Sequence, residues 1–272
     1  MQFLGHEVSY RDARALVIPV PYEATTTYLK GTQKGPEAII KASCNVEEFI
    51  LELGQEIREI YTEEPVPCSS FEELSATIPS FVSRALEGSK FPVFLGGEHS
   101  ITPPIVSAMK KSYPSLKLLH IDAHADMRFE YEGRKDSHAC AMRRVHELGV
   151  ETVSIGIRAI SWEEDEYIKG KGILVYGPEF NPAEALSKLE GPLYISLDFD
   201  ALDPSVIPDV GTPEPGGIGY YQLLSFLKEV FYNFDVVGMD AVELLPLSSY
   251  GPFAAARIIH NCIGYSLTAS FK

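Results

Sequence analysis

The chain has 272 residues, with 38 Asp and Glu against 23 Lys and Arg and a formal net charge of −15. That balance argues against a nucleic-acid partner or an anionic membrane surface, because both kinds of binding draw on clustered positive charge. With 45% apolar residues the chain can bury a large core, which excludes disorder as a global description.

Short β-rich runs alternate with segments of helical period. Strands are expected near Ala15–Val20, Glu56–Tyr61, Pro92–Gly96, Leu116–Asp122, Thr152–Gly156, Ile173–Tyr176, Leu193–Asp198 and Phe234–Asp240. Several are almost wholly apolar, as a parallel sheet covered on both faces requires. Helices are expected over Pro36–Leu51, from a capping box at Ser70 and Glu73 to Leu86, and over Thr102–Ser112, His138–Leu148, Trp162–Lys169, Pro182–Leu189, Tyr220–Tyr232 and Phe253–Ser266. The alternation predicts an α/β domain spanning residues 1–272. A closed barrel and an open doubly wound sheet both accommodate eight strands, and both place chemistry at the carboxyl ends of the strands.

Nine glutamates and one base, Arg58, fall within residues 47–73, a run expected to form a solvated face. Cys44, Cys68, Cys140 and Cys262 are too scattered for a disulfide framework or a thiolate zinc site. The chain has no uncharged apolar run of the roughly 18 residues that a membrane span needs, and Met1–Glu7 lacks the basic and apolar regions of a signal peptide. A cytoplasmic protein is expected.

Four strands end in polar clusters: Gly96–Ser100, His120–Asp126, Asp198–Asp200 and Asp240–Glu243. So many acids beside apolar strands repel one another and lose hydration unless something compensates them. Divalent metal is the obvious candidate. If extended geometry persists, Asp122, His124 and Asp126 point to one side, and Asp198 and Asp200 share a phase. With His99 they make six ligands whose four carboxylates balance two divalent ions. Two metals about 3.5–4 Å apart lower the pKa of a shared water and present hydroxide to an electrophilic carbon. A nitrogen and oxygen donor set without thiolate suits manganese, with iron, cobalt or zinc as alternatives. His120 is expected to be a buried strand histidine.

These clusters, in this order, resemble the ureohydrolase family of arginases, agmatinases and related enzymes, which hydrolyse a guanidinium group to urea and an amine. The signature is Gly-Gly-Glu-His, Asp-x-His-x-Asp, Ser-x-Asp-x-Asp-x-x-Asp-Pro at Ser196–Pro204 and Gly-Thr-Pro at Gly211–Pro213. The resemblance implies a three-layer αβα fold with an open, mainly parallel eight-stranded sheet, so the barrel becomes the lesser alternative. It implies two manganese ions on His99, Asp122, His124, Asp126, Asp198 and Asp200, and a homo-oligomer, trimeric or hexameric. By position, His138 corresponds to a proton shuttle and Glu243 to the acid that grips the substrate guanidinium; Asp126 would stabilise the tetrahedral intermediate and its proton.

The segment Met127–Ser137 resembles bacterial and archaeal agmatinases more than arginases, which implies agmatine as substrate, putrescine as product and a place in polyamine synthesis. Aminopropylagmatine, guanidinobutyrate and arginine are the alternatives, since Ala139-Cys140 follows the shuttle histidine where many agmatinases have Gly-Thr. A second positive charge on the substrate would favour acids at the mouth, for which Glu130, Glu163 and Glu164 are candidates. An acidic substrate would need a cationic reader such as Arg128 or Arg158. A Cys140–His138 hydrolase, a two-metal phosphoesterase and a catalytically silent metal-binding homologue are the competing readings.

Overall fold

A computed structural model describes residues 1–269 of the chain. In chain order the elements are β1 (Ala15–Val20), α1 (Gly35–Ser43), β2 (Phe49–Ile50), β3 (Gln55–Glu56), β4 (Ile60–Thr62), α2 (Phe71–Glu87), β5 (Phe91–Gly96), α3 (Thr102–Ser112) and β6 (Lys117–Ile121). Then follow α4 (Ala141–Glu147), β7 (Thr152–Ile155), α5 (Trp162–Lys171), β8 (Leu174–Tyr176), α6 (Pro182–Leu186), β9 (Pro192–Asp198), α7 (Tyr220–Asn233), β10 (Asp235–Val242) and α8 (Tyr250–Thr268). Eight strands form one open sheet in the order β4-β1-β5-β10-β9-β6-β7-β8, and every neighbouring pair is parallel.

The two faces of each strand feed two separate cores. On β1, Ala15 and Val17 face the layer that contains α1, α7 and α8, whereas Leu16, Ile18 and Val20 face α2, α3 and α4. Burial on both sides removes any reason to alternate apolar with polar residues, which is why these strands read as continuous hydrophobic runs. The expected three-layer architecture is the one observed, and it is open rather than barrel-like.

Two boundaries differ from expectation. The helix expected to reach Leu51 stops at Ser43, because Phe49–Ile50 instead pairs antiparallel with Gln55–Glu56 in a small hairpin. Ile50 from this hairpin packs so closely on α8 that a Cβ at Gly264 would lie 2.6 Å from its Cδ1. The strand expected over Glu56–Tyr61 is consequently split, and only Ile60–Thr62 joins the main sheet. Smaller shifts occur at helix ends: the segment from His138 opens with a 3₁₀ turn before α4, and α6 ends at Leu186. Among the described residues, no helix is long and apolar enough to cross a membrane.

The topology brings the four polar clusters together. Strands β5, β10, β9 and β6 lie side by side at the centre of the sheet, and these are the strands whose carboxyl ends carry the acids. Chain order reverses within this group, and such switch points open a crevice beyond the strand ends.

Candidate metal centre and active site

Each cluster leaves its strand by a turn that aims side chains into the crevice. After β5, Gly97 passes so close to Tyr22 that a Cβ there would sit 2.1 Å from the Tyr22 carbonyl oxygen, so only glycine fits. After β6 the extended run ends at Ile121, and Asp126 adopts a left-handed φ of 52°. The expected period-two alignment of Asp122, His124 and Asp126 therefore does not come from a continuing strand. The residues meet because the loop folds back. After β9, Phe199–Ala201 forms a 3₁₀ turn in which the Asp200 N–H donates to Asp198 Oδ1 at 2.8 Å. Glu243, beyond β10, also has a left-handed φ of 62°, held by its N–H donating to Gly97 O at 2.8 Å.

The six residues gather in two adjoining groups. Around His99 Nδ1 lie Asp122 Oδ2 at 3.1 Å, Asp126 Oδ2 at 3.1 Å and Asp198 Oδ2 at 3.4 Å. Around His124 Nδ1 lie Asp200 Oδ2 at 2.9 Å and Asp122 Oδ1 at 3.6 Å. Asp122 thus turns one oxygen to each group. His99 Nδ1 is buried yet meets no partner in hydrogen-bonding geometry, and it faces three carboxylates. A buried, unpartnered imidazole nitrogen facing carboxylate oxygens fits a divalent cation.

Neighbouring groups hold these side chains in place. His99 Nε2 lies 2.9 Å from Ser196 Oγ, and the Ser196 hydroxyl donates to Asp240 Oδ1 at 2.7 Å. Asp240 also accepts from Thr102 Oγ1 at 3.0 Å, so it anchors the serine rather than facing the crevice. His120 is a buried strand histidine: its Nε2 donates to Asp122 Oδ2 at 2.8 Å, and its Nδ1 lies 3.1 Å from Ser154 Oγ. Such supports fix the orientation and basicity of a donor set.

The electrostatics agree with a cation-binding role. Burial, with repulsion from Asp200 and Asp122, raises the Asp198 carboxyl well above its ordinary range. Burial likewise raises Asp200, with Asp122 adding to it, and raises Glu243 strongly, with Glu98 adding to it. Burial alone would raise Asp122 too, but His120, His124 and His99 outweigh it and hold Asp122 well below the usual value. Burial would lower both ligand-like histidines; the surrounding carboxylates instead push His99 well up and His124 up to about 12. Without a cation the cluster must hold protons to limit its own repulsion, and a bound divalent ion would displace them.

A cavity of about 320 Å³ opens onto this cluster and is lined by His124, Asp126, Asp198, Asp200, His138 and Glu243, among others. Glu243 Oε1 accepts the His99 backbone N–H at 2.8 Å. The cavity wall contains neither Glu130 nor Glu163, two of the three acids expected at the mouth. Glu130 is exposed, and the Glu163 carboxylate accepts the Phe129 N–H at 3.1 Å as α5 begins. Glu164 does line the cavity, but its oxygens are committed to the Met127 N–H and to Ser161 N–H and Oγ, a capping box for α5. Glu214 is the acid that sequence reasoning missed; its Oε1 lies 3.8 Å from His124 Nε2. Its place directly after Gly-Thr-Pro was the available signal.

An acidic substrate and two of the competing readings lose ground here. The Arg158 guanidinium donates to six backbone carbonyls, those of Gly156, Asp200, Ala201, Leu202, Glu214 and Pro215, so it is spent on the loop and cannot read a substrate carboxylate. Burial, with Asp126 adding to it, pushes the Cys140 thiol up to about 11, far from a thiolate nucleophile at neutral pH. Arg128, which does line the cavity, stacks on Tyr131 at 5.0 Å and faces Glu164 Oε2 at 3.9 Å, so no unopposed cation marks a phosphate site there.

A three-layer α/β fold whose central strand ends present two histidines and four aspartates defines a hydrolase-type scaffold built around divalent cations. The arginase-family model matches residues 13–264, and the chain belongs to that family. It is 40% identical over 269 residues to the N(1)-aminopropylagmatine ureohydrolase of Thermus thermophilus, covering 95% of this chain and 92% of the relative. It is 36% identical over 274 residues to the agmatinase of Bacillus anthracis, covering 96% and 94% of the two chains. Among solved structures it resembles the agmatine ureohydrolase of Thermoplasma volcanium, with a TM-score of 0.87, 30% identity and coverage of 95% and 92%.

Proposed function

We propose that the protein is a manganese-dependent ureohydrolase that cleaves the guanidinium group of agmatine, yielding urea and putrescine. The observation that carries this reading is the convergence of His99, Asp122, His124, Asp126, Asp198 and Asp200 beside Glu243, whose Oε2 has no hydrogen-bond partner among the described residues, around one cavity. These six side chains would hold two ions. When bound, the ions supply a water of lowered pKa as nucleophile.

The remaining work belongs to the chain. The Glu243 carboxylate accepts guanidinium N–H groups and sets the planar cation so that its central carbon faces the donor cluster. Asp126 holds the proton released by the attacking water. His138, at the cavity wall, passes a proton to the departing amine, as an imidazole can near neutral pH. Burial of the site strengthens each of these contacts relative to water.

A second substrate, N1-aminopropylagmatine, is favoured by the relative from Thermus thermophilus, whose name specifies it, and by the half-exposed Ile160 on the cavity rim, which offers apolar surface to a longer chain. Both compounds lack a carboxylate, consistent with an Arg158 that is fully occupied. In either case the setting is cytoplasmic polyamine synthesis by a homo-oligomer. Urea release measured as kcat/KM on agmatine, N1-aminopropylagmatine, arginine and guanidinobutyrate decides the assignment: the first two should exceed the last two. No urea from any of them in the presence of manganese would sink the proposal.

A further inference from the structure

Glu98 is fully buried beside the cavity but belongs to neither group of metal donors. Its Oε2 accepts the backbone N–H groups of Ala24 at 2.7 Å and Thr25 at 2.6 Å. Its Oε1 accepts the hydroxyls of Ser100 at 2.6 Å and Thr25 at 2.8 Å. With four donors on its two oxygens, this carboxylate acts only as an acceptor. Thr25 Oγ1 is also 3.0 Å from His138 Nδ1 and accepts the His138 backbone N–H at 3.0 Å.

A hydroxyl has one proton and two lone pairs. With that proton committed to Glu98, Thr25 can only accept from the imidazole, so Nδ1 must carry hydrogen. Ser137 Oγ, at 3.4 Å, is the other polar group near that nitrogen. His138 Nε2 has no hydrogen-bond partner among the described residues, and the ring lines the cavity. We infer that Glu98 and Thr25 are positioning residues that fix His138 as its Nδ1–H tautomer and so make Nε2 the nitrogen that exchanges protons with substrate.

Nε2 takes one proton from the cavity, giving an imidazolium that still donates Nδ1–H to Thr25. The same Nε2 then gives one proton to the leaving amine and the neutral ring returns. No proton moves to Glu98. The direction of this exchange rests on the ureohydrolase reading, whereas the tautomer does not.

The test reads the tautomer directly, by two-bond ¹H–¹⁵N correlation on the [¹⁵N]histidine-labelled full chain loaded with diamagnetic zinc, followed with rising pH until the His138 signals reach their alkaline limit. His138 signals are identified by their loss in His138→Asn. The neutral wild-type ring should show a protonated Nδ1 and a bare Nε2. In Glu98→Gln the amide oxygen must take the Oε2 position to accept two backbone N–H groups, which leaves the NH₂ facing Thr25. The Thr25 proton then turns to Nδ1 and the tautomer inverts, while kcat falls on the order of 10–100-fold with KM within about twofold, part of the range general acid–base catalysis spans. A merely structural role for Glu98 would not invert the tautomer.

If Glu98→Gln does not fold, the loop variants carry the test: Thr25→Val should lose kcat to a similar extent and Thr25→Ser should restore it. A wild-type Nε2–H tautomer, an unchanged tautomer in Glu98→Gln, or a Thr25→Val enzyme with wild-type kcat overturns the inference. Absence of urea release by the wild type would overturn the function while leaving the tautomer measurement intact.

Discussion

Two regions of this molecule are rich in acids and opposite in physics. Residues 47–73 carry nine glutamates, of which Glu63 alone is buried. The ends of β5, β6, β9 and β10 carry Glu98, Asp122, Asp126, Asp198, Asp200, Asp240 and Glu243, and every one of them is buried. In the first region the acids stay hydrated and form surface pairs such as Glu48 with Arg58 and Glu52 with Lys228, which contribute little to stability. In the second, lost hydration and mutual repulsion must be offset by imidazoles, backbone N–H groups or metal. A glutamate count therefore says nothing about function until each carboxylate is traced to what compensates it.

The sharpest way to break this contrast is to remove a buried acid of the donor cluster. Asp122→Ala or Asp198→Ala should abolish stoichiometric metal binding and lower kcat by at least about 10³-fold, the scale on which preorganised electrostatic groups act. Metal analysis alongside urea release checks this, and full metal content with full activity would end the dinuclear assignment. Replacing His138 with Asn should cost about 10²–10⁴-fold in kcat, the range for a lost general acid or base. Here metal content should stay unchanged, which separates the proton-transfer role from the donor set.

Ser196→Ala should weaken metal binding by about 10–100-fold, as loss of a supporting hydrogen bond to a ligand does. Titration with manganese followed by magnetic resonance of the free ion measures it.

The pH dependence follows from the signs of the shifts. Asp198, Asp200 and Glu243 have carboxyl groups raised above their unfolded values, so the stability they contribute is complete below about pH 4 and is lost as pH rises through the folded values. His99 and His124 are also raised, so their contribution is complete below about pH 6.5 and is likewise lost with rising pH. Asp122 is lowered and acts oppositely, at the acid extreme. The metal-free protein should therefore lose Tm progressively as pH rises above about 4, and the rise in Tm on adding metal should grow over the same interval. Scanning calorimetry with and without chelator tests this, and a metal effect independent of pH would contradict it.

The smallest effect belongs to the first region. Glu56→Gln, on the exposed hairpin, should leave activity unchanged and Tm within about 2 °C. Any larger loss would mean that the glutamate-rich face has a role the contrast denies it.

The α/β class, most strand positions and the six candidate donors that the structure brings together were legible in the chain itself. Strands buried on both faces must be continuously apolar, and acids at their ends must be compensated, so residue type and order carried that information. The sequence also singled out His138 and Glu243, which the structure places on the wall of one cavity. It could not show that Phe49–Ile50 leaves the helical register, because the partners that overrule helix formation, Gln55–Glu56 and α8, lie elsewhere along the chain. Nor could it tell Glu164 from Glu163, or Glu214 from any loop acid. Which carboxylate is spent on a capping box, which is exposed and which faces the cavity depends on loops folding back over the sheet. The left-handed turns at Asp126 and Glu243 and the Glu98–Thr25–His138 chain were likewise decided only by tertiary structure, since they join residues from separate loops through hydrogen bonds that no local pattern encodes.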